Sequence, residues 1–271
     1  MRALDTPGSG HGRASEIASA GAPLAGLPPP VARFRDLAKT DVPIETVVIE
    51  ASAVMRRPRI PPIPLEIRMA HRLGREFVHQ IRIGRGWLSF AFGLDAYVDG
   101  RGLMKIGPSI QAGAHFDQGA LIALWGEALG FPSAWEYRND VRWEEIDDVT
   151  ARLVVPGPEG EIAIMVGFDR VTGFPATCEA DRYKSTGPKV HWIGRLSDWR
   201  RTDGGVLAPC RFTAQWADEP SPWIDIRTKG IVANSSVDDL LRVGREALRA
   251  VARRGQQDAA ELRPGDVSKG D

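Results

Sequence analysis

Alternation with a period of two residues constrains this chain more than any other feature. From Leu88 the even positions Leu88, Phe90, Phe92, Leu94, Ala96 and Val98 are all apolar, while Trp87, Ser89, Ala91, Gly93, Asp95 and Tyr97 are mixed. Successive side chains of a strand point to opposite faces, so the pattern reads as a long strand with one dry and one amphipathic face. Similar alternation marks Phe77 to Ile83 and Ile162 to Phe168, and returns less cleanly in segments near 47–54, 141–146, 151–155, 177–184, 190–199, 211–217 and 223–232. Turns bearing Gly and Pro separate these segments, as at Gly157-Pro158-Glu159-Gly160 and Thr172-Gly173-Phe174-Pro175. Ten or eleven strands joined by short loops form an antiparallel meander, and a sheet that wide must curl or close.

Three helices interrupt the strands. The first follows Pro28-Pro29-Pro30 and carries Val31, Phe34 and Leu37, with proline where a helix start tolerates it. The second runs from Asp117, read as its N-cap, to Leu129, and is apolar nearly all round. Such a helix belongs inside, against the concave face of the sheet. In the third, Ser236 and Asp239 have capping-box spacing, and an apolar stripe through Leu241, Gly244 and Leu248 opposes Arg242, Arg245, Arg249 and Arg253. The fold class is therefore mainly β (α+β): one domain over residues 27–254, an unclosed half-barrel whose concave face is plugged by helices. The flanking residues 1–26 and 255–271 are rich in small and polar residues and read as a disordered leader and tail.

Charge and cysteine content close off several functions. Thirty-five Lys and Arg balance 35 Asp and Glu, leaving no basic footprint for nucleic acid. No apolar run is long enough to span a bilayer, and the leader lacks a signal-peptide core, so a cytoplasmic location is expected. Cys178 and Cys210 are read as two thiols, with one disulfide as the alternative. No phosphate-binding loop, serine elbow or zinc-protease motif occurs. His71 and His79 are eight residues apart and His115 and Asp117 two apart, spacings that specify no metal site, so no metal and no cofactor is assigned.

Two constellations remain. Glu127 is the only charged residue between Gln118 and Gly130, on the otherwise apolar second helix. A carboxylate there must be paired, shift its pKa or reach the rim. It is read either as an acid/base or anchor for a ligand's polar group, or as half of an ion pair with a strand arginine such as Arg182. The second constellation is the eight tryptophans in a chain with three tyrosines. Trp125, Trp135, Trp143 and Trp216 fall where helix, exit loop and inner strands could converge. They are read either as the wall of a pocket above about 300 Å³ or as core filling.

Five segments resemble an uncharacterised bacterial domain family: GLDAYVDGRGLMKI at 93–106, GEALGFPSAW at 126–135, VRW at 141–143, EADRY at 179–183 and the opening LPPPVARF at 27–34. The resemblance spans roughly residues 27 to 234. That family is similar in architecture to the lipoprotein-localisation carriers LolA and LolB, which implies an open antiparallel barrel around an apolar cavity. No catalytic residue comes with the resemblance, and this chain shows no lipobox cysteine. The leading expectation is a protein that binds an apolar or amphipathic small molecule, with Trp125, Glu127, Trp135, Trp143, Arg182 and Trp216 as candidate contacts. The rivals are a metal-independent enzyme using Glu127 as acid or base, and an interaction module with a solid core.

Overall fold

The computed structural model describes residues 24, 26–84, 89, 91–184, 187–202 and 204–261, with side chains as far as 254. The chain runs α1 (Pro29–Leu37), β1 (Thr46–Arg57), β2 (Ile60–Arg72), β3 (Glu76–Ile83), β4 (Ala91–Val98), β5 (Arg101–Ile106) and β6 (Ser109–Ala112). It continues through α2 (Ala114–Ala128), β7 (Arg142–Asp147), β8 (Thr150–Gly157), β9 (Gly160–Phe168) and β10 (Pro175–Tyr183). Then come β11 (Lys189–Arg201), β12 (Leu207–Trp216), β13 (Ile224–Ala233) and α3 (Asp238–Glu261). All thirteen strands form one sheet in the order β6-β5-β4-β3-β2-β1-β13-β12-β11-β10-β9-β8-β7. Each described pairing is antiparallel.

The sheet is thus two meanders, β1–β6 and β7–β13, sewn together along β1 and β13. Its outer edges, β6 and β7, are joined in the chain by α2 and a short 3-10 turn at Pro132–Ala134. Helix α2 touches β4, β5 and β6 on one arm and β9 and β10 on the other, which requires the sheet to curl round it. It fills the concave side without closing the barrel, as the apolar circumference predicts.

Cross-strand register sorts the two faces. The row Val48, Ala70, Val78, Ala96 and Leu103 lies on the convex face and forms one apolar cluster with Val237 and Leu241 of α3. The adjoining row Ile49, Met69, His79, Asp95 and Met104 has the opposite parity and faces α2. The dry, even-numbered face of β4 therefore packs under α3, and the mixed face turns inward. Phe92 departs from the expected dry run: it is 70% exposed, because the cluster under α3 begins at Leu94. Glycine permits both helices to sit close. A Cβ on Gly102 would lie 2.3 Å from the Phe116 carbonyl oxygen, and one on Gly244 would lie 2.7 Å from Val78 Cγ2.

Several sequence-based expectations need correction. Among the described residues the strands number thirteen, with β2, β5 and β6 added. Strand β2 carries Pro61, Pro62 and Pro64, which normally exclude an inner strand. Its register with β3 starts at Leu65, and Pro64 joins that side through its carbonyl, which accepts the Gly84 N–H at 2.9 Å and needs no N–H of its own. Asp117 is not the cap of α2. The cap is Gly113 at φ +119°, and Asp117 sits in the first turn, accepting the Gly102 N–H at 2.7 Å and pairing with Arg101 at 3.0 Å. Helix α3 starts at Asp238 and continues to Glu261, six residues beyond Gly255, through the good helix formers of QQDAAE. The rest of the expected tail, and the expected leader apart from Leu24 and Gly26, lie outside the described residues. Cys178 and Cys210 are free thiols, the former buried.

Candidate functional site

Glu127 stands in the last turn of α2, where the helix bridges the two arms of the sheet. Toward β10 and β11 the helix is stripped to glycine: Gly119 makes room for the Arg182 guanidinium, and Gly126 faces Cys178 and Trp192. On the other side Glu127 reaches β2 and β3. Its Oε2 lies 3.0 Å from His79 Nε2 and 3.2 Å from His71 Nε2. The three donor atoms lie within 4.8 Å of one another. The two imidazoles are brought together by the β2–β3 hairpin. Met69 pairs with His79 and His71 with Phe77, so residues eight apart become diagonal neighbours on one face.

Burial dominates the electrostatics here. It drives the His71 imidazole down to about 4, against the pull of Glu127, so this ring is neutral at pH 7. His79 is also desolvated, but the charge and hydrogen bond of Glu127 outweigh that and raise its pKa. For Glu127 burial pushes up, while His79, His71 and Arg182 together hold the carboxyl below its ordinary value. Asp95, opposite His79 in the β3–β4 register, is raised by burial. Arg182 lies over the rings of Trp192 and Trp216 at 5.5 and 5.8 Å, and burial lowers its pKa against the pull of Asp95 and Glu127. The ordering is useful: at neutral pH the site presents a carboxylate between one neutral and one readily protonated imidazole.

Beyond His71 and Glu127 opens a cavity of about 50 Å³ between the end of α2 and the inner faces of β1, β2 and β11–β13. Its remaining wall is apolar apart from Thr228, with Ile49, Met69, Phe131, Leu196, Phe212 and Ile226 as the larger contributors. Phe131 also lines a second, more polar cleft of about 410 Å³, bounded by the loop after α1 and by residues 130–137. Phe131 is thus common to the inner cavity and the outer cleft.

The structure divides the sequence-derived candidates. Glu127 is in the cavity wall and is bonded as a buried carboxylate must be, its side chain 20% exposed. Its direct partners are His71 and His79, and Arg182 acts on it only at longer range. The tryptophans are elsewhere. Trp125, Trp135, Trp192 and Trp216 are buried in the core, and Trp143 packs edge-on against Trp135 at 5.4 Å. None of them is among the residues that line this cavity, and the larger cleft is bounded by residues on either side of Trp135. The two histidines were missed because spacing alone was weighed. Gly74, at φ +65° midway between positions 71 and 77, marks the hairpin turn that puts 71 and 79 on the same face.

No curated protein matches this sequence. Among solved structures, the chain is similar to one from Vibrio parahaemolyticus whose name describes an outer membrane lipoprotein-sorting protein domain, at 8% identity and a TM-score of 0.46, covering 78% of this chain and 94% of that one. It is similar to a LolA superfamily protein from Nitrosomonas europaea at 10% identity and a TM-score of 0.46, covering 78% and 95%. Among protein families, residues 16–226 match the one described as a family of unknown function, DUF6544, and the chain belongs to that family.

Proposed function

We propose that this protein binds an apolar or amphipathic small molecule in the cavity beside Glu127, with the Glu127–His71 end meeting the ligand's polar group. The observation that carries this is the polarity of the wall: aliphatic and aromatic over most of its surface, with titratable groups gathered at one end. Ligand sites are built this way, apolar for affinity with few polar groups for orientation. The volume sets a condition. About 50 Å³ holds a few waters, whereas drug-sized ligands occupy about 300–1,000 Å³. A ligand of that size therefore needs the cavity to widen, and a shift of Phe131, common to the cavity and the outer cleft, would supply the space.

An apolar fluorescent probe titrated into the full-length protein should bind saturably. Phe131→Ala, which removes a side chain common to the cavity and the cleft, should tighten or accelerate binding, and a polar Ile226→Asp wall should abolish it. Non-saturable binding unaffected by either change would leave the third reading, an interaction module with a solid core. The enzyme reading keeps one specific support, a buried carboxylate within hydrogen-bond distance of two imidazoles, the arrangement that general acid–base transfer uses.

A further inference from the structure

Three observations converge on the cluster at the polar end of the cavity. The first is the donor set. Two imidazole nitrogens and one carboxylate oxygen from β2, β3 and α2 lie within 4.8 Å of one another, the one such group of metal-ligating chemistry among the described residues. Tetrahedral zinc with bonds of about 2.0–2.1 Å places neighbouring donors about 3.3 Å apart. The separations from Glu127 Oε2 are 3.0 and 3.2 Å. The second is an unpaid hydrogen-bond deficit at His71. This side chain is 2% exposed, and neither ring nitrogen has a hydrogen-bond partner, although Nε2 lies 3.2 Å from Glu127 Oε2. A simple carboxylate–imidazole network explains His79, which is hydrogen-bonded to Glu127, and leaves His71 unexplained. The third is access. His71 and Glu127 both line the cavity, so a fourth coordination position has somewhere to open.

We propose that His71 Nε2, His79 Nε2 and Glu127 bind one divalent transition-metal ion of the zinc class, with its fourth position facing the apolar cavity. Two imidazoles and a carboxylate with an open position is a donor set that suits zinc bound for chemistry more than zinc bound for structure, where all four positions are filled by protein. The surroundings supply the rest. Asp95, a further carboxylate, lies across from His79 in the register. Arg182, held against Trp192 and Trp216, offsets one of the two carboxylate charges, so the ion meets a site of modest net charge. The proposal does not depend on the apolar ligand: the metal titration below uses none, and the probe titration above can be run in chelator.

The test is a titration of chelator-treated, full-length protein with Co²⁺. Saturation of a visible ligand-field absorption at one equivalent is expected, with loss of that colour as Zn²⁺ replaces Co²⁺ one for one. His71→Ala should weaken binding by more than about 100-fold, beyond what loss of an outer partner costs. Glu127→Gln, which keeps the volume and removes the anionic donor, should do the same, with circular dichroism confirming the fold of each. His191→Ala removes a surface imidazole beside Glu179 and Asp181 and should leave the titration unchanged. The proposal is overturned if the unaltered protein gives no saturable Co²⁺ spectrum. It is equally overturned if the colour survives both His71→Ala and Glu127→Gln, or disappears in His191→Ala.

Discussion

Helix α3 lies on the convex face of the sheet with its apolar stripe down and its charges outward, while α2 lies on the concave face with almost every side buried. On α3, charge stays where water shares the cost. Arg242 pairs with Asp239 and Glu246 on the surface, and Arg245 leans to the rim to meet Glu76 and Asp99. On α2, two carboxylates are carried inside. Asp117 is fully accounted for by structure: it takes the Gly102 N–H and the Arg101 guanidinium, and so fastens the helix to β5. Glu127 also ties the helix to the sheet, through His79 of β3 at 3.0 Å, but its surroundings differ. It points at two imidazoles and a cavity, and one of those imidazoles has no hydrogen-bond partner of its own. The difference teaches that burial of charge is by itself no sign of function; what distinguishes Glu127 is unfinished bonding beside open space.

The contrast can be broken or sharpened by measurement. The largest effect is expected at Trp125, whose indole is core on the concave side: Trp125→Ala should cost about 3–5 kcal/mol by denaturant unfolding. A loss below about 1 kcal/mol would mean that the concave side is not close-packed. On the convex side Leu241→Ala, at a fully buried position of α3, should cost about 2–3 kcal/mol; equal or larger loss than at Trp125 would invert the comparison.

Next comes pH, in metal-free protein. His71 is neutral in the fold down to about 4 while its unfolded counterpart protonates near 6.5. The unfolded state then binds more protons in that window, so stability falls as pH drops from about 6.5 to 4, by up to about 3 kcal/mol. His79 has the opposite sign: raised in the fold, it contributes fully below 6.5 and loses that contribution as pH rises through its folded pKa. Denaturant midpoints across pH should show both limbs, and His71→Gln should flatten the acid one. An unchanged acid limb would remove His71 from the account. The smallest effect is expected at Arg245→Ala, about 1 kcal/mol, because Arg72 remains 2.9 Å from Glu76.

Much of this architecture was legible because it rests on local periodicity. The alternation along β3, β4 and β9 and the apolar circumference of α2 each record which neighbours a residue must have, and together they imply a curled sheet around a helix. What escaped was set by pairing. Strand β2 hid behind three prolines whose harmlessness depends on where β3 stops. Strands β5 and β6 are short, and β6 forms the sheet's outer edge, so neither shows a clear alternation. Glu127 was legible as an isolated charge. Its partners were not, since His71 and His79 meet it only through a hairpin register and a helix approach that no spacing encodes. The tryptophans stayed open between two readings for the related reason that bulk suits a cavity wall and a filled core equally well.

The seam between β1 and β13 also bears on how the chain is made. Synthesis delivers β1 near residue 46 but its partner only after residue 224, so through most of translation one edge of the first meander stands bare. β12 has no such wait, because it ends at Trp216 and β13 begins at Ile224. Exposed strand edges of this length invite pairing with other chains. Contacts bridging nearly 180 positions also raise the contact order, which slows folding. A nascent chain halted before β13 would hold two unjoined ribbons, and a chaperone that shields the β1 edge would act at the step where misassembly is most exposed.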